Sequence, residues 1–171
     1  FNPEDHLERK EAKRMDRYTQ YALAASGMAV NQAGFDKEKI DQERFGVILG
    51  SGVGGIETME NQGNVLYTKG PGRISPYFVP MMIGNMAAGQ ISIAYGAKGP
   101  NITVVTACAS ASNAIGEAYR SISHGYADVI ITGGSEAPIT PLALAGFCSM
   151  RALSTRNDDP KTACRPFDLN R

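Results

Sequence analysis

Tryptophan is absent from this sequence, and cysteine and histidine are scarce. The 171 residues include no Trp, three Cys and two His. An odd number of cysteines without C-x-x-C spacing disfavours both a disulfide framework and a zinc site. We therefore expect free thiols in a reducing compartment, which is the cytoplasm or, in a eukaryote, the plastid or mitochondrial matrix. No metal and no other cofactor is expected.

The sequence also lacks an excess of either charge and has no long apolar run. Its 17 Lys and Arg balance 17 Asp and Glu, so no net charge favours non-specific binding to nucleic acid. No run of about 18 apolar residues predicts a membrane span. Residues 61–116 contain no Asp or Glu, and we expect most of this stretch to lie in the interior or at an interface.

Hydrophobic patterning predicts an α/β fold in one domain spanning residues 1–171. A long helix is expected at residues 6–32, where apolar side chains recur at spacings of three and four. A buried strand at 44–50, a short helix at 56–61 and a buried helix at 79–95 follow. Because the chain does not begin with Met, we expect it to be part of a longer protein.

The segment from residue 102 to residue 132 is the most informative. A β-branched strand at 102–106 precedes a helix at 107–123, and a second apolar strand follows at 127–132. This order is a βαβ unit, in which the two strands are parallel. The residues after 149 predict a loop.

Cys108 lies where the first of these strands turns into the helix. The first N–H groups of a helix favour a thiolate, and the small residues around Cys108 leave room for a thioester. A nucleophile at a strand-to-helix turn is typical of acyl transfer. Position alone favours a buried structural cysteine equally. Cys148 and Cys164 have no such setting, and we expect them to be structural.

Neither histidine is placed to assist Cys108. His124 falls at the far end of the same helix, roughly 24 Å away at 1.5 Å per residue. A histidine there interacts with the last carbonyls of the helix. His6 lies in a charged segment and is expected to be solvated. Any catalytic histidine is therefore expected outside this chain.

A glycine-rich turn follows the first strand. Gly50-x-Gly52-x-x-Gly55 matches the dinucleotide-binding pattern, but the acidic residue expected about 20 positions later is absent. We interpret these glycines as a tight turn beside a cavity, with Val53 pointing into it.

Five basic residues between positions 9 and 17 would span about 140° of one helical face. They are Arg9, Lys10, Lys13, Arg14 and Arg17. Acidic neighbours favour a solvated face, and the alternative is a docking patch for an acidic partner.

Several short motifs together resemble the β-ketoacyl-[acyl-carrier-protein] synthases, most closely their synthase II branch. The resemblance covers essentially the whole chain. It rests on RKE at 9–11, MD at 15–16, GSGVGG at 50–55, ISP at 74–76, FVP at 78–80, GP at 99–100, TAC at 106–108, GGSEA at 133–137, RALSTRN at 151–157 and RPFD at 165–168.

The resemblance implies a thiolase-like fold of two α/β halves, each a five-stranded mixed sheet with helices on both faces. Residues 1–171 would be the first half without its opening strand. Cys108 would accept the acyl group, Val53 and Phe147 would line the acyl pocket, and Phe78 and Val79 would reach the pocket of a second subunit. Lys10, Lys13, Arg14, Arg73 and Arg151 match positions that face the carrier protein.

The implied activity is a decarboxylative Claisen condensation in fatty-acid elongation. Its partners would be acyl- and malonyl-loaded acyl carrier protein and a second copy of the same chain. Two alternatives stay open. One is a polyketide ketosynthase, and the other is a non-catalytic homologue that binds the carrier or determines chain length.

Overall fold

A computed structural model of the chain describes residues 1–34, 36 and 39–171. The chain divides into two units, Phe1–Pro138 and Ile139–Arg171. The helices are α1 (Arg9–Ala12), α2 (Arg17–Ala33), α3 (Ile56–Lys69), α4 (Phe78–Met82), α5 (Met86–Tyr95), α6 (Ser110–Ser123) and α7 (Pro141–Ser149). The strands are β1 (Phe45–Gly50), β2 (Asn101–Val104) and β3 (Val129–Gly134). Short 3-10 turns occur at Pro3–Asp5, Gln42–Arg44, Pro71–Arg73, Ala107–Ala109 and Pro160–Thr162.

The first unit is built on a parallel sheet with the strand order β2-β1-β3. In the register of the sheet, Ile48 of β1 lies opposite Ile102 of β2 and Thr132 of β3. The predicted βαβ unit is confirmed, and the connection from β2 through α6 to β3 spans the central strand. The described residues form three strands, all parallel, fewer than the five of a mixed sheet that the resemblance implies for a complete half.

Helices cover both faces of the central strand. Every residue of β1 is buried, because alternate side chains point to opposite faces and both faces are packed. Val47 and Leu49 pack in one cluster with residues of α2 and α5. Ile48 faces the other side and packs against Ala114 and Ala118 of α6. The predicted α/β class is therefore confirmed, with the sheet as the middle of three layers and helices on both of its faces.

The helix predicted at residues 6–32 is broken at Asp16. The side chain of Asp16 accepts a hydrogen bond from the backbone N–H of Tyr18 and caps the N-terminus of α2. Tyr18, at the start of α2, is fully buried, and burial raises the pKa of its phenol above the ordinary value. The prediction of one continuous helix is wrong because a capping aspartate starts a second helix inside the periodic pattern.

The helix predicted at residues 79–95 is also two helices. The carbonyl of Met82 accepts a hydrogen bond from the N–H of Gly55, and the carbonyl of Ile83 accepts one from the Tyr18 hydroxyl at 2.6 Å. These tertiary bonds satisfy the carbonyls at the junction of α4 and α5. Full burial was predicted, yet Val79 is 57% and Ile93 74% exposed. The short helix predicted at 56–61 extends to Lys69.

Arg44 and Asp128 connect the start of β1 to the segment before β3. The guanidinium donates two hydrogen bonds to the carboxylate, at 2.7 and 2.6 Å. This pairing lowers the pKa of Asp128 and raises the pKa of Arg44 from their ordinary values.

No helix in the described part of the chain is both long and apolar enough to cross a membrane.

The second unit consists of α7 followed by irregular chain. Thr140 caps α7 by accepting a hydrogen bond from the N–H of Ala143. After α7 the only regular element described is one 3-10 turn, Pro160–Thr162, which agrees with the loop predicted after residue 149.

Candidate active site

Cys108 lies in the turn that connects β2 to α6. The thiol is exposed and forms no disulfide. The preceding residue, Ala107, has φ +50°, a left-handed conformation that is strained for a residue with a side chain. Such backbone strain costs on the order of 1–3 kcal/mol and persists only where neighbouring contacts enforce it. The geometry is that of a nucleophile held at a sharp strand-to-helix turn.

Side-chain hydrogen bonds hold this turn in place. The Ser110 hydroxyl accepts from the N–H of Thr106 at 2.9 Å and donates to the carbonyl of Ala107 at 2.7 Å. The Asn113 amide donates to the Thr106 hydroxyl oxygen at 2.7 Å. Ser110 is 4% exposed, so its two bonds are largely shielded from water, whereas the bond from Asn113 is exposed. The turn is therefore fixed from both sides of Cys108.

Two glycines allow the sheet to approach the first turn of α6. A Cβ on Gly50 would lie 2.3 Å from the carbonyl carbon of Ser110, and one on Gly134 would lie 2.6 Å from the Cβ of Ala111. Neither position has room for a side chain. The ends of β1 and β3 thus support the helix that begins just after Cys108.

Glu136 occupies the glycine-rich turn after β1. Its carboxylate accepts hydrogen bonds from the N–H groups of Gly52, Val53 and Gly54 and from the Ser51 hydroxyl. In a dinucleotide site such N–H groups would bind phosphate. Here a carboxylate of the chain itself occupies them, which agrees with a structural role for these glycines. Glu136 is not among the predicted site residues, although it lies in the GGSEA motif at 133–137.

The turn that carries Val53 lies beside the Cys108 turn and beside α4. A Cβ on Gly52 would be 3.9 Å from the Cα of Ala107, and one on Gly55 would be 2.3 Å from the carbonyl oxygen of Met81. The Val53 side chain is 52% exposed. The structure therefore brings together the segments of Cys108, Val53 and the predicted pocket residues Phe78 and Val79.

Two of the predicted site residues belong to the second unit. Phe147, in α7, is 43% exposed. Arg151 follows α7, is exposed, and has φ +56°. Both belong to the unit Ile139–Arg171.

Both histidines are engaged away from Cys108. The Nδ1 of His124 lies 2.8 Å from the carbonyl oxygen of Arg120 at the C-terminus of α6. His6 stacks on Phe1 with ring centroids 5.5 Å apart. In the described ranges, no three His, Cys, Asp or Glu side chains cluster in a way that could hold a metal ion.

The predicted basic stripe does not lie on one helical face, because α1 ends at Ala12 and α2 begins at Arg17. Arg9 is ion-paired with Glu4 at 3.2 Å. The Arg14 guanidinium lies over the Tyr77 ring, 4.9 Å from its centroid. This contact joins the basic segment to the chain that follows Arg73. Lys10, Lys13, Arg14 and Arg73 are all exposed.

Comparisons with known proteins agree on one family. Residues 2–170 match the model of the β-ketoacyl synthase N-terminal domain. The chain is 57% identical over all 171 residues to 3-oxoacyl-[acyl-carrier-protein] synthase 2 of Staphylococcus aureus, of which it covers 42%. It is 53% identical to the protein of the same name from Synechocystis, of which it covers 41%. The chain thus spans about two fifths of the length of these curated relatives.

Solved structures give the same result. A β-ketoacyl synthase from Burkholderia phymatum superposes with a TM-score of 0.87 at 34% identity, over 100% of this chain and 42% of its own. A type II polyketide ketosynthase, solved in complex with its acyl-carrier protein and bound to the hexaketide, gives 0.84 at 27% identity, over 90% and 45%. The fold is that of the ketosynthases.

Proposed function

The chain belongs to the β-ketoacyl synthase family, whose N-terminal domain it matches almost throughout, and we propose that its protein extends fatty-acid chains by decarboxylative Claisen condensation. One observation carries the proposal. An exposed thiol, Cys108, lies in a strained strand-to-helix turn that hydrogen bonds hold rigid. The match of residues 1–171 to about two fifths of its relatives supports treating them as the first α/β half of a thiolase-like synthase.

Cys108 is the nucleophile in this mechanism. Its sulfur attacks the thioester carbonyl of an acyl chain on carrier protein, forming an acyl-cysteine thioester and releasing the carrier thiol. Malonyl-carrier then loses carbon dioxide, and the resulting carbanion attacks the acyl-cysteine carbonyl. The products are 3-oxoacyl-carrier protein and free Cys108. Because the substrate is already activated as a thioester, no cofactor is needed.

The backbone at Cys108 also supplies an oxyanion donor. The N–H of Ala109 already donates to the carbonyl of Thr106 at 3.1 Å. The N–H of Cys108 donates no hydrogen bond within the described part of the chain, and we assign it to the developing oxyanion of the acyl thioester. A pre-positioned donor of this kind contributes on the order of 3–4 kcal/mol to transition-state stabilisation.

Four apolar residues are assigned to the acyl chain. We assign Val53 of the first unit, and independently Phe147 of the second, to the acyl chain bound by their own subunit. Phe78 and Val79 are assigned to the acyl chain of the partner subunit. The partial exposure of Val53, Val79 and Phe147, at 52%, 57% and 43%, supports the assignment. Apolar side chains at such exposure stand ready to bury a hydrocarbon chain or a partner surface.

Acyl carrier protein is the proposed partner of the basic residues. Lys10, Lys13, Arg14, Arg73 and Arg151 are exposed and attract an acidic partner electrostatically. One solved relative is in complex with its own acyl-carrier protein, which supports a docking surface in this family.

We also propose a homodimer of cytoplasmic or organellar location. β2 is an edge strand of the described sheet. Ile102 within it is 46% exposed, and Val105 just after it is 63% exposed. An exposed apolar edge strand favours pairing with another chain. A second copy seated on β2 would cover these side chains. Sedimentation of the full-length protein at micromolar concentration tests this, and a monomer would contradict it.

A polyketide ketosynthase is the second candidate. The polyketide ketosynthase that superposes on this chain favours it, at 27% identity. The relatives at 53–57% identity are named as 3-oxoacyl-carrier synthases and favour fatty-acid elongation.

The deciding experiment supplies saturated acyl-carrier and malonyl-carrier protein to the full-length protein. Mass spectrometry should detect a 3-oxoacyl-carrier product extended by two carbons, with one carbon dioxide released per turn. Repeated condensation without reduction between turns would favour the polyketide candidate. Absence of condensation with either substrate set would overturn both.

A further inference from the structure

We propose that Glu136 is a positioning residue that sets the acyl-chain selectivity of the site by fixing the Val53 turn, defined as Gly52, Val53 and Gly54. The inference rests on the proposed function, in which Val53 limits the acyl pocket. Glu136 accepts hydrogen bonds from the backbone of this turn and from the Ser51 hydroxyl, and it has no part in the bond-making steps.

The carboxylate of Glu136 accepts hydrogen bonds from all three N–H groups of the turn. Oε2 accepts from Gly52 at 2.5 Å and from Val53 at 3.1 Å, and Oε1 accepts from Gly54 at 3.2 Å. Oε1 also accepts from the Ser51 hydroxyl at 3.3 Å. Hydrogen bonds to a charged acceptor are about twice as strong as those between neutral groups. One side chain therefore bonds to every residue of the turn.

The segment that carries Glu136 is itself anchored to the sheet and to α2. The N–H of Ser135 donates to the carbonyl of Gly50 at 3.0 Å, and its hydroxyl donates to the carbonyl of Tyr18 at 2.6 Å. Through Glu136 the Val53 turn is thereby connected to the central strand, and its flanking residue Ser51 adds a bond of its own, because the Ser51 hydroxyl also accepts from the Gly54 N–H at 3.2 Å. Gly54, at φ +72°, adopts the backbone conformation that this arrangement needs.

The fixed turn adjoins the nucleophile. The Cβ position of Gly52 lies 3.8 Å from the carbonyl oxygen of Ala107, the residue before Cys108. A displacement of the turn therefore changes the space beside Cys108 as well as the location of the Val53 side chain. Because misplacement by one ångström can cost about a hundredfold in rate, small movements of this turn affect selectivity.

Glutamine is the informative replacement. Its size matches Glu136, but its amide has one acceptor oxygen, and its NH₂ group would face N–H donors. Glu136→Gln should release the turn, whereas Glu136→Asp keeps the charge on a shorter side chain and should release it less. Glu117→Gln is the matched control, because Glu117 is half-exposed and ion-paired with Arg120 on α6, with no bond to the Val53 turn.

Two measurements on the full-length protein test the proposal. Hydrogen exchange should show the amides of residues 52–54 exchanging at least about tenfold faster in Glu136→Gln than in wild type, with Glu117→Gln unchanged. Competition between long and short acyl-carrier substrates should show their kcat/KM ratio changing by about tenfold in Glu136→Gln, with a smaller change in Glu136→Asp. Ser51→Ala provides a milder variant if Glu136→Gln fails to fold, because it removes the hydroxyl that donates to Glu136 and accepts from the Gly54 N–H but leaves the carboxylate in place.

The possible results separate the positioning role of Glu136 from its effect on selectivity. Unchanged exchange at residues 52–54 in a folded variant would overturn the positioning role. Faster exchange with an unchanged kcat/KM ratio would overturn the effect on selectivity. If wild type condensed no acyl chain at all, the proposed function would fail, while the exchange measurement would still decide what Glu136 holds.

Discussion

Thr58 donates two hydrogen bonds to one oxygen of Asp16, 42 residues away in sequence. The backbone N–H lies at 2.9 Å from Oδ2 and the hydroxyl at 2.6 Å. The other carboxylate oxygen accepts from Tyr18 in the first turn of α2. Asp16 is 3% exposed, and the N-terminal ends of α2 and α3 both favour its negative charge. One buried carboxylate therefore caps two helices.

We expect Asp16→Ala to lower the free energy of unfolding substantially. It leaves buried N–H and O–H donors without acceptors, which costs about 1–3 kcal/mol in the free energy of unfolding. Asp41→Ala is the matched control, because Asp41 also caps a turn but is exposed. Urea unfolding checks both variants. Equal losses in the two would show that burial of Asp16 adds nothing.

Cys108 should be the most reactive of the three thiols. A limiting amount of an electrophilic acyl mimic should modify Cys108 in the full-length protein before Cys148 or Cys164, as peptide mapping by mass spectrometry would show. Cys108→Ala should abolish condensation, and malonyl-carrier decarboxylation should persist because that step does not use the thiol. Cys148→Ala should leave both steps intact. Appreciable condensation by Cys108→Ala would rule out the mechanism.

Reversing two charges should weaken carrier docking. Lys13→Glu with Arg14→Glu should raise KM for carrier-bound substrate and leave acyl-coenzyme A substrates less affected. Wild-type KM should also rise with salt, because charges are screened over about 8–10 Å at moderate ionic strength. Lys98→Glu with Arg120→Glu changes the net charge equally on other exposed segments and serves as control. Equal KM increases in both double variants would refute a localised patch.

Val53→Phe should shorten the acyl chains that the protein accepts. Overpacking by a larger side chain costs about 1–3 kcal/mol, and this cost should fall on long primers and spare the shortest. Met59→Phe is the control, because Met59 is 47% exposed on α3. The measurement is kcat/KM as a function of primer length. An unchanged profile would place Val53 outside the pocket.

Stability should respond to acid through Asp128. Its pKa is lower in the folded protein than its ordinary value because Arg44 donates hydrogen bonds to its charged form. The pair therefore contributes stability above the ordinary pKa of aspartate, about 3.9, and loses it as pH falls through the lowered folded-state pKa. The stability difference between wild type and Asp128→Asn should accordingly shrink towards pH 2. A difference that grows on acidification would contradict this.

The sequence predicts the sheet and α6 well, because their signals are local. Apolar and β-branched runs predict β1, β2 and β3 to within about two residues, and the apolar face at 107–123 predicts α6. The break at Asp16 is not predicted. An aspartate within a periodic pattern is equally consistent with an exposed helical position, and its partner Thr58 is remote in sequence.

The candidate site likewise has features that the sequence predicts and features that it does not. Cys108 is found from its place between a strand and a helix, which is local information. Glu136 is missed because its partners lie 82 to 85 residues earlier, and nothing local distinguishes it from a solvated acid. The positive φ of Ala107 carries no sequence signal either, since alanine usually avoids that conformation.

The central place of β1 has a consequence for the order of folding. β2 and β3 follow one another through α6, yet each pairs with β1 and not with the other. The local strand–helix–strand segment therefore has no template for its hydrogen bonds until the earlier strand is in position. Closing those distant pairings costs loop entropy before it yields contacts, which slows folding. During synthesis β1 leaves the ribosome first, so the template already exists when its two neighbours emerge.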